Sequence, residues 1–333
     1  MSSLAGAGPG AAPVIILIPV YNDWESSGLL VPLVDSVLAA DGLRAEVLFV
    51  DDASTKPDDG ARRWPERRFE AVTLVEVLEL GRNLGHQRAI AVGLAHVHAK
   101  KRCGAIVIMD ADGEDDPKDI PRLLRVFHEQ GESKVVFAQR TKRSEAWTFR
   151  LFYYLYRGMY RGLTGTKVRF GNFSVIPCGL LPKLVVVSEL WNHYAAGIMK
   201  ARIPYVEIST TRGRRLAGRS RMNFVSLVIH GLGAISVHAD VIGVRALVAT
   251  LLLSLVTIVG ISVVVLIRVF TDLAIPGWAS SLTVLFLILL TQAVMMASLF
   301  VFIILNNRSN LGFIPRRDYE QFVLTVRPLY SRV

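Results

Sequence analysis

The chain has 333 residues, of which 52% are hydrophobic, and it carries a formal net charge of +10 at pH 7. Residues 246–267 and 279–305 contain no charged side chain. Each run is long enough to cross a bilayer core, which takes about 20 apolar residues. These features exclude an ordinary water-soluble protein and predict a soluble domain followed by two membrane crossings. Residues 1–13 lack Lys and Arg, so we expect a disordered tail there and not a secretory signal peptide.

The positive charge is concentrated ahead of the two apolar runs. Residues 134–169 hold nine Lys and Arg against one acidic residue, and residues 200–221 hold seven against one. A basic surplus beside a membrane suits anionic lipids or a phosphorylated ligand. The chain carries no known nucleic-acid motif, so no nucleic acid is expected as a partner. Cys103 and Cys178 form no C-x-x-C pair; we expect neither a disulfide framework nor a thiolate metal site, which fits a reducing, cytoplasmic location.

Apolar strand patterns alternate with helical ones along the first half of the chain. Strands are predicted at 14–20, 46–50, 72–80, 105–109 and 134–138, with helices at 29–40, 87–100 and 117–130. Strands that alternate with helices imply right-handed crossovers and a mostly parallel α/β sheet. Because each strand ends in polar residues, the carboxyl edge of this sheet would collect Asn22, Asp52, Asn83, Asp110 and Asp112.

Asp110 and Asp112 directly follow an apolar strand. Two positions apart in a strand, their side chains would point the same way, and such carboxylates repel each other unless a cation lies between them. Hard divalent cations such as Mg²⁺ or Mn²⁺ take oxygen ligands and also bind phosphate oxygens. This interpretation predicts a divalent metal cofactor. The alternative is an acidic turn that caps the helix starting at Pro117.

Residues 147–163 mix aromatic side chains with Arg150, Arg157 and Arg161, which share one face at helical spacing. Aromatic residues beside basic ones suit a helix that lies in the membrane interface. An ordinary amphipathic packing helix is the alternative.

A second interfacial helix is predicted at 223–240. It leads into a two-helix transmembrane region at 241–305 and a cytoplasmic tail at 306–333. Basic residues precede the first crossing and follow the second, whereas the connection at 268–278 holds only Arg268 and Asp272. The positive-inside rule therefore places the soluble domain and both termini in the cytoplasm.

Five motifs occur in the order and spacing of a known family. They are Ile18-Pro-Val-Tyr-Asn22, Val50-Asp-Asp-Ala-Ser54, Asn83-Leu-Gly85 with Ala89 and Gly93, Asp110-Ala-Asp112, and Arg215-Leu-Ala-Gly-Arg-Ser-Arg221. From residue 14 to 224 the chain resembles the family-2 inverting glycosyltransferases of GT-A fold. More narrowly, it resembles the polyprenyl-phosphate glycosyltransferases, which include dolichol-phosphate mannose synthase. The resemblance implies a Rossmann-like GT-A catalytic domain at 14–222, followed by interfacial helices and two transmembrane helices.

The resemblance also implies a role for each matching position. The nucleotide pocket would be lined by Pro19, Tyr21, Asn22, Asp52, Asn83, Gly85 and Asp110. The metal ligands would be Asp110, Asp112 and Glu114. The catalytic set would be Asp112, Arg140, Arg215, Ser220 and Arg221, the last three on a mobile loop that closes over phosphates. We further expect the acceptor phosphate to be bound by Arg150, Arg157 and Arg161, and His86 is a candidate for contact with the donor.

Three positions depart from the family pattern. Glu114 stands where relatives have Gln, Asn172 where they often carry an acid, and Arg221 where they have Lys. Glu114 adds negative charge to the predicted metal site, and the missing acid leaves the acceptor and sugar contacts around residue 172 open. No Q-x-x-R-W motif follows the domain, which argues against a processive polysaccharide synthase.

Together these features predict transfer of one sugar from a UDP- or GDP-linked donor to a polyprenyl phosphate of undecaprenyl or dolichyl type, with inversion, in the cell envelope. A lipid phosphate is already anionic near neutral pH and needs no general base, which fits the missing acid at residue 172. The alternatives are a metal-dependent nucleotidyltransferase, a glycosyltransferase for another lipid or glycan acceptor, and an inactive membrane scaffold. A homo-oligomer is left open.

Overall fold

A computed structural model describes residues 12–59, 64, 68–140, 158, 161–165, 171–218, 231–271, 277–309 and 312–332. Among these residues, eight strands form one sheet: β1 (Val14–Val20), β2 (Ala45–Asp51), β3 (Val72–Leu80), β4 (Ala105–Ile108), β5 (Val135–Arg140), β6 (Ser174–Pro177), β7 (Tyr205–Thr210) and β8 (Val323–Ser331). The helices are α1 (Trp24–Ala40), α2 (His86–Lys100), α3 (Ile120–Glu129), α4 (Leu181–Leu184), α5 (Tyr194–Lys200), α6 (Ala239–Phe270), α7 (Trp278–Ser309) and α8 (Pro315–Asp318). The sheet with its helices forms one compact unit, and residues 161–165 with 238–309 belong to a second.

The strand order of the sheet is β7-β5-β6-β4-β1-β2-β3-β8. The four central strands β4, β1, β2 and β3 run parallel, as the sequence predicts, and β6 and β8 pair antiparallel with β4 and β3. From β1 the chain adds β2 and β3 on one side and then returns to place β4 on the other. Ligands of open α/β sheets bind at such a reversal, outside the carboxyl ends of the strands. The fold therefore predicts a ligand site at the loops after β1 and β4.

Helices cover both faces of the sheet because the central strands are apolar on both sides. In β1, Ile16 and Ile18 join the core under α1 and α3, whereas Ile15 and Leu17 join the core under α2, α4 and α5. All four side chains are fully buried. A strand buried on both faces holds its carboxyl end in a fixed place, and the polar loop that follows β1 inherits that placement.

The sequence prediction and the structure agree best for the long apolar strands. The predicted bounds of β1 and β3 are confirmed, and the helix predicted at 29–40 begins earlier, at Trp24. The strand predicted at 105–109 ends at Ile108, so Asp110 and Asp112 lie in a turn and not in the strand. β6, β7 and β8 were not predicted. β6 is only four residues long, too short for a periodic pattern.

Cys103 and Cys178 form a disulfide with a Cα–Cα distance of 5.9 Å. The prediction of no disulfide was therefore wrong. The pairing of Ala105 with Pro177 in the antiparallel β4–β6 ladder brings the two cysteines to the same end of neighbouring strands. Sequence spacing could not reveal this, because the cysteines are 75 residues apart and β6 was not predicted.

The helices α6 and α7 are 32 residues each, or about 48 Å at the usual helical rise. Their most apolar stretches have mean hydropathies of 2.8 and 2.5 and are only 11% and 6% buried, so they do not resemble core helices of a soluble protein. The two helices approach closely where Gly243 meets Ile304 and Gly260 meets Phe286, as small residues allow in membrane helix pairs. Both are candidate membrane spans. Most of the predicted interfacial helix at 147–163 and residues 223–230 of the one at 223–240 lie outside the described residues, whereas residues 231–236 are helical.

The strand β8 lies within the region predicted as a cytoplasmic tail. It pairs with β3 and covers that edge of the sheet, with Pro328 at a position that an edge strand tolerates. Tyr330 is buried, packs edge-on against Phe69 with ring centroids 4.8 Å apart, and accepts a hydrogen bond from the Phe69 amide at 3.2 Å. The chain thus leaves the sheet before α6 and returns to the same sheet after α7.

This anchoring of β8 can be tested by Tyr330→Ala. Truncation of a buried aromatic side chain should destabilise the folded protein by about 3 kcal/mol, measured as a lower apparent unfolding temperature of the detergent-solubilised protein. Leu324→Ala is the matched control, because Leu324 lies on the same strand and is 71% exposed. Equal unfolding temperatures for the two variants would contradict the placement of β8.

Candidate active site

The candidate site lies at the carboxyl edge of the sheet, at the reversal beside β1. It is built from the loops that follow β1, β2, β3 and β4 and from the segment 211–218 that follows β7. Sequence reasoning predicts the first four loops because each begins with polar residues. The arginine-rich composition of 211–218 and the family motif that begins at Arg215 indicate that this segment joins them.

Asn22 shapes the loop after β2. Its backbone has a positive φ of 55°, a conformation that Asn tolerates better than most residues. The Asn22 amide donates to Ser54 Oγ at 2.8 Å, and Asn22 Oδ1 accepts from the backbone amides of Thr55 at 2.9 Å and Lys56 at 2.8 Å. Asn22 therefore ties the end of β1 to the loop after β2.

Asp52 organises the loop after β3. Its buried carboxylate accepts from the amides of Leu84 at 2.6 Å and Gly85 at 2.8 Å, while Asn83 Nδ2 donates to the Asp52 carbonyl at 3.2 Å. Burial raises the pKa of Asp52 above its ordinary value although these amide bonds lower it. The predicted nucleotide residues Asp52, Asn83 and Gly85 are thus brought together, with both oxygens of Asp52 holding the backbone.

Two further predicted nucleotide residues lie on β1 or just after it. Pro19 is buried opposite Val50 in the sheet. Tyr21 is 42% exposed, so its ring is accessible at the edge. Contact of either residue with a nucleotide stays a prediction.

At the centre of the site, one arginine bridges two carboxylates. Arg215 donates to Asp112 Oδ2 at 2.8 Å and to Asp23 Oδ2 at 2.6 Å, and its Nε donates to the Ala217 carbonyl at 3.1 Å. The bridge joins the loops after β1, β4 and β7. Asp23 was missed by the sequence analysis, although its position directly after the Ile-Pro-Val-Tyr-Asn motif was a usable signal.

The segment 212–217 lies along the turn after β4. Arg212 binds both oxygens of Glu114, at 2.6 to 3.0 Å. The Gly213 amide donates to the Glu114 carbonyl, and the Leu216 amide donates to the Asp112 carbonyl, both at 2.9 Å. The turn and the segment are therefore joined by backbone bonds as well as by charge.

The predicted set of three carboxylate metal ligands is not assembled. Among the described residues, no group of three or more His, Cys, Asp or Glu could hold a metal ion. Glu114, predicted as a ligand, has both oxygens on Arg212 instead, because the basic segment after β7 neutralises it. Asp110 and Asp112 remain as the acidic pair.

Asp110 and Asp112 influence each other across the turn. Burial, and next the charge of Asp110, raise the pKa of Asp112 above its ordinary value. The turn is fixed by Asp115, whose Oδ2 accepts from the Asp110 amide at 2.9 Å, and by Asp112, whose Oδ1 accepts from the Glu114 amide at 2.9 Å. Capping of the following 3₁₀ turn is done by Asp116 and not by Asp110 or Asp112. The acidic pair is thus not explained by helix capping.

Asn172 is linked to the acidic pair through His86. His86 Nε2 lies 3.2 Å from Asp110 Oδ1 and 2.8 Å from Asn172 Nδ2. Burial alone would lower the pKa of His86, but nearby carboxylates, Asp110 foremost, raise it above its ordinary value. Gln87 Nε2 donates to Asn172 Oδ1 at 3.2 Å. The residue that replaces the family's acid therefore has a defined place beside the site.

Several predicted residues lie outside this description. Ser220, Arg221, Arg150 and Arg157 are not among the described residues, and the side chain of Arg140, at the end of β5, is not described either. Arg161 is exposed in a short helical stretch of the second unit. The catalytic and acceptor roles of these residues stay predictions.

Comparison with known proteins shows the family. A model described as "Glycosyl transferase family 2" matches residues 15–183, about half of the chain. The chain belongs to glycosyl transferase family 2. The predicted GT-A domain, followed by two candidate membrane spans, is thereby confirmed.

The chain is similar to several members of the family. It is 35% identical over 116 residues to "Undecaprenyl-phosphate 4-deoxy-4-formamido-L-arabinose transferase" of Klebsiella pneumoniae, a match that covers 35% of this chain and 34% of that relative. It is 25% identical over 275 residues to "Uncharacterized glycosyltransferase YkcC" of Bacillus subtilis, covering 81% of each. Among solved structures it is similar to glucosyl-3-phosphoglycerate synthase from Mycobacterium tuberculosis in complex with Mn²⁺, UDP and glucosyl-3-phosphoglycerate. That match has 14% identity, a TM-score of 0.48, and coverage of 70% of this chain and 80% of that one.

The docking of segment 212–217 on the β4 turn can be tested by Gly213→Ala. A methyl group at this position would overlap the carbonyl oxygen of Gly113. We therefore expect the segment to detach, with faster hydrogen exchange over 212–217. Gly179→Ala is the control, because an added methyl there meets no atom within 4 Å. Unchanged exchange in Gly213→Ala would contradict the docked arrangement.

Proposed function

We propose that this chain transfers one sugar from a nucleotide-sugar to a polyprenyl phosphate, with inversion of the configuration at the anomeric carbon. The single observation that carries the proposal is the Asp23–Arg215–Asp112 bridge at the carboxyl edge of a family-2 domain. It places cationic and anionic groups together where a GT-A domain binds its donor. The printed name of the Klebsiella pneumoniae relative, an undecaprenyl-phosphate transferase, supports the acceptor class, although the match spans about a third of that protein.

The charges of the site suit a metal-bound diphosphate. Arg212 and Arg215 are paired with carboxylates, and the oxygens of a diphosphate can bind guanidinium groups in the same bidentate manner. A divalent cation would in turn take over the carboxylates that the arginines release. On donor binding, the arginines would therefore pair with the diphosphate and the carboxylates with the cation, and no buried charge is left unpaired.

Asp110 and Asp112 are the residues that would hold such a cation. Their chemistry fits, since carboxylate oxygens are preferred by Mg²⁺ and Mn²⁺. The raised pKa of Asp112, due to burial and then to Asp110, marks a mutual repulsion that a cation would relieve. When bound, the metal would stabilise the charge that develops on the leaving diphosphate. Glu114, the third predicted ligand, has both oxygens on Arg212 and would reach the metal only after Arg212 moves to the diphosphate.

The acceptor class is argued from the neighbourhood of residue 172. A hydroxyl acceptor needs a general base, and the family position that often carries an acid holds Asn172 here. Its amide is occupied by His86 and Gln87. A phosphate acceptor is already anionic and needs no base. A phosphate carried by a lipid also explains why a family-2 domain is joined to two long apolar helices.

The orientation is proposed from connectivity and charge. Two crossings by α6 and α7 return the chain to its starting side, and the pairing of β8 with β3 requires that return. Basic residues flank the helix pair on the sheet side, so the positive-inside rule favours a cytoplasmic sheet with both termini there. Nucleotide-sugars are cytoplasmic as well. The disulfide removes the cysteine argument for this location, so the orientation rests on connectivity, charge and the location of the donor.

Metal dependence can be tested by Asp112→Asn. Loss of this carboxylate should lower the transfer rate by roughly two to three orders of magnitude, the scale seen when a group that stabilises developing charge is removed. Circular dichroism should show an intact fold. Asp41→Asn, an exposed change at the opposite edge of the sheet, is the control. Full wild-type activity in excess chelator would rule out the metal.

The product can be tested with two donor labels, one on the sugar and one on the nucleotide. Membranes supplied with polyprenyl phosphate should yield a chromatographed lipid extract that carries the sugar label without the nucleotide label. Both labels in the lipid would indicate a nucleotidyltransferase. Sugar label in a water-soluble oligosaccharide, or in a polymer that grows with time, would favour another glycosyltransferase reaction.

A further inference from the structure

The strand β8 contributes to a cavity beside the active site. The cavity has a volume of about 380 Å³ and lies between the loop after β2, the end of β3 and the start of β8. Its walls include Asp51, Lys56, Asp58, Glu79 and Arg327. A volume of this order suits part of a small-molecule ligand. Of these residues, only Arg327 comes from the part of the chain that follows the membrane helices.

Arg327 connects two walls of the cavity. Its Nε donates to Glu79 Oε1 at 2.6 Å, and its NH2 group donates to Asp58 Oδ2 at 2.8 Å. Arg327 lies opposite Val77 in the β3–β8 ladder, so Glu79 is its diagonal neighbour on the same face. The strand register therefore fixes the Arg327–Glu79 pair, and the second bond of the guanidinium reaches out to the loop.

The loop of residues 54–58 is thus held from two sides. Asn22 binds the amides of Thr55 and Lys56 from the end of β1, and Arg327 binds Asp58 from β8. The first half of the loop is held by hydrogen bonds from Asn22 and Asp51, and the second half by the charge-assisted bond from Arg327 to Asp58. Loss of Arg327 would release the second half while Asn22 keeps the first half in place.

The walls also indicate which part of a donor enters the cavity. The charged lining residues are three acids, Asp51, Asp58 and Glu79, against Lys56 and Arg327, so the lining is net acidic. A carboxylate accepts hydrogen bonds from hydroxyl and N–H groups but repels phosphate. Such groups are found on the ribose and base of a nucleotide. The phosphates belong with Arg215 and Arg212, on the side of the site next to β4.

We propose that Arg327 is a positioning residue for the donor: by holding Asp58 beside Glu79 it keeps the loop of residues 54–58 in the form that receives the nucleoside. The inference rests on the proposed function. It makes donor affinity depend on a strand that follows both candidate membrane helices in the sequence.

The test uses the full-length protein in lipid nanodiscs and measures binding of UDP and of GDP, each with Mn²⁺, by calorimetry. Arg327→Gln should weaken nucleotide binding roughly tenfold, the order expected for a lost charge-assisted hydrogen bond. Asp58→Asn should have the same effect without touching β8, and the double variant should be no worse than either. Arg327→Lys should recover part of the affinity. Arg332→Gln is the control, since Arg332 binds the Glu70 carbonyl at 2.8 Å at the far end of the same strand pair.

Kinetics distinguish positioning from simple stabilisation. In Arg327→Gln the donor KM should rise while kcat stays within about twofold and the acceptor KM is unchanged. A purely structural role would lower kcat through a smaller active fraction and leave KM as it is, which overturns the inference. Wild-type affinity in both Arg327→Gln and Asp58→Asn would also overturn it and leave the proposed function standing. If neither nucleotide binds the wild-type protein, the proposed function falls, and the inference falls with it.

Discussion

The arrangement of the site depends on the neutralisation of carboxylates that the sheet brings together at one edge. Parallel strands deliver Asp23, Asp110 and Asp112 to one edge, where burial and then the charge of Asp110 raise the pKa of Asp112. Arg215 resolves this by bonding Asp23 and Asp112 at once. The basic segment after β7 therefore supplies the cation that offsets two of these carboxylates. In such a site, a ligand with both positive and negative groups can replace the internal arginine–carboxylate pairs, because it offers each group a new partner of opposite charge.

The second constraint is the exposed edge of the sheet at β3. An unpaired edge strand is a liability that proteins cover, and here the cover comes from the far end of the chain. β8 pairs with β3 only after α6 and α7, so the chain leaves the sheet, passes through both helices and returns to the same sheet. This return favours an even number of crossings independently of loop charge. The return also brings Arg327 to the loop after β2, where its guanidinium binds Asp58.

The sequence predicted the features that depend on neighbouring residues and missed those that join residues far apart in the chain. The apolar runs of β1 and β3 and the motifs after β1, β2 and β4 are local signals, and the structure places them as predicted. The bridge from Arg215 to Asp23 spans 192 residues and the bond from Arg327 to Asp58 spans 269, and no local pattern reports such pairs. The same holds for the disulfide, which depends on β6, and for Glu114, whose partner Arg212 arrives from another strand. Asp110 and Asp112 were assigned to one edge correctly, but by a strand argument that does not apply to the turn they occupy.

Asn172 shows how the departure from the family pattern fits the charge balance. A carboxylate at this position would face His86 beside Asp110, adding another negative charge to an edge where Asp110 already raises the pKa of Asp112. It would also repel an anionic acceptor. An amide avoids both effects and still offers hydrogen bonds: Asn172 contacts His86 with its nitrogen and accepts from Gln87 with its oxygen, and Gln87 in turn accepts from the buried Tyr194 amide. The amide therefore keeps negative charge low beside Asp110, which suits the two phosphate-bearing substrates of the proposed reaction.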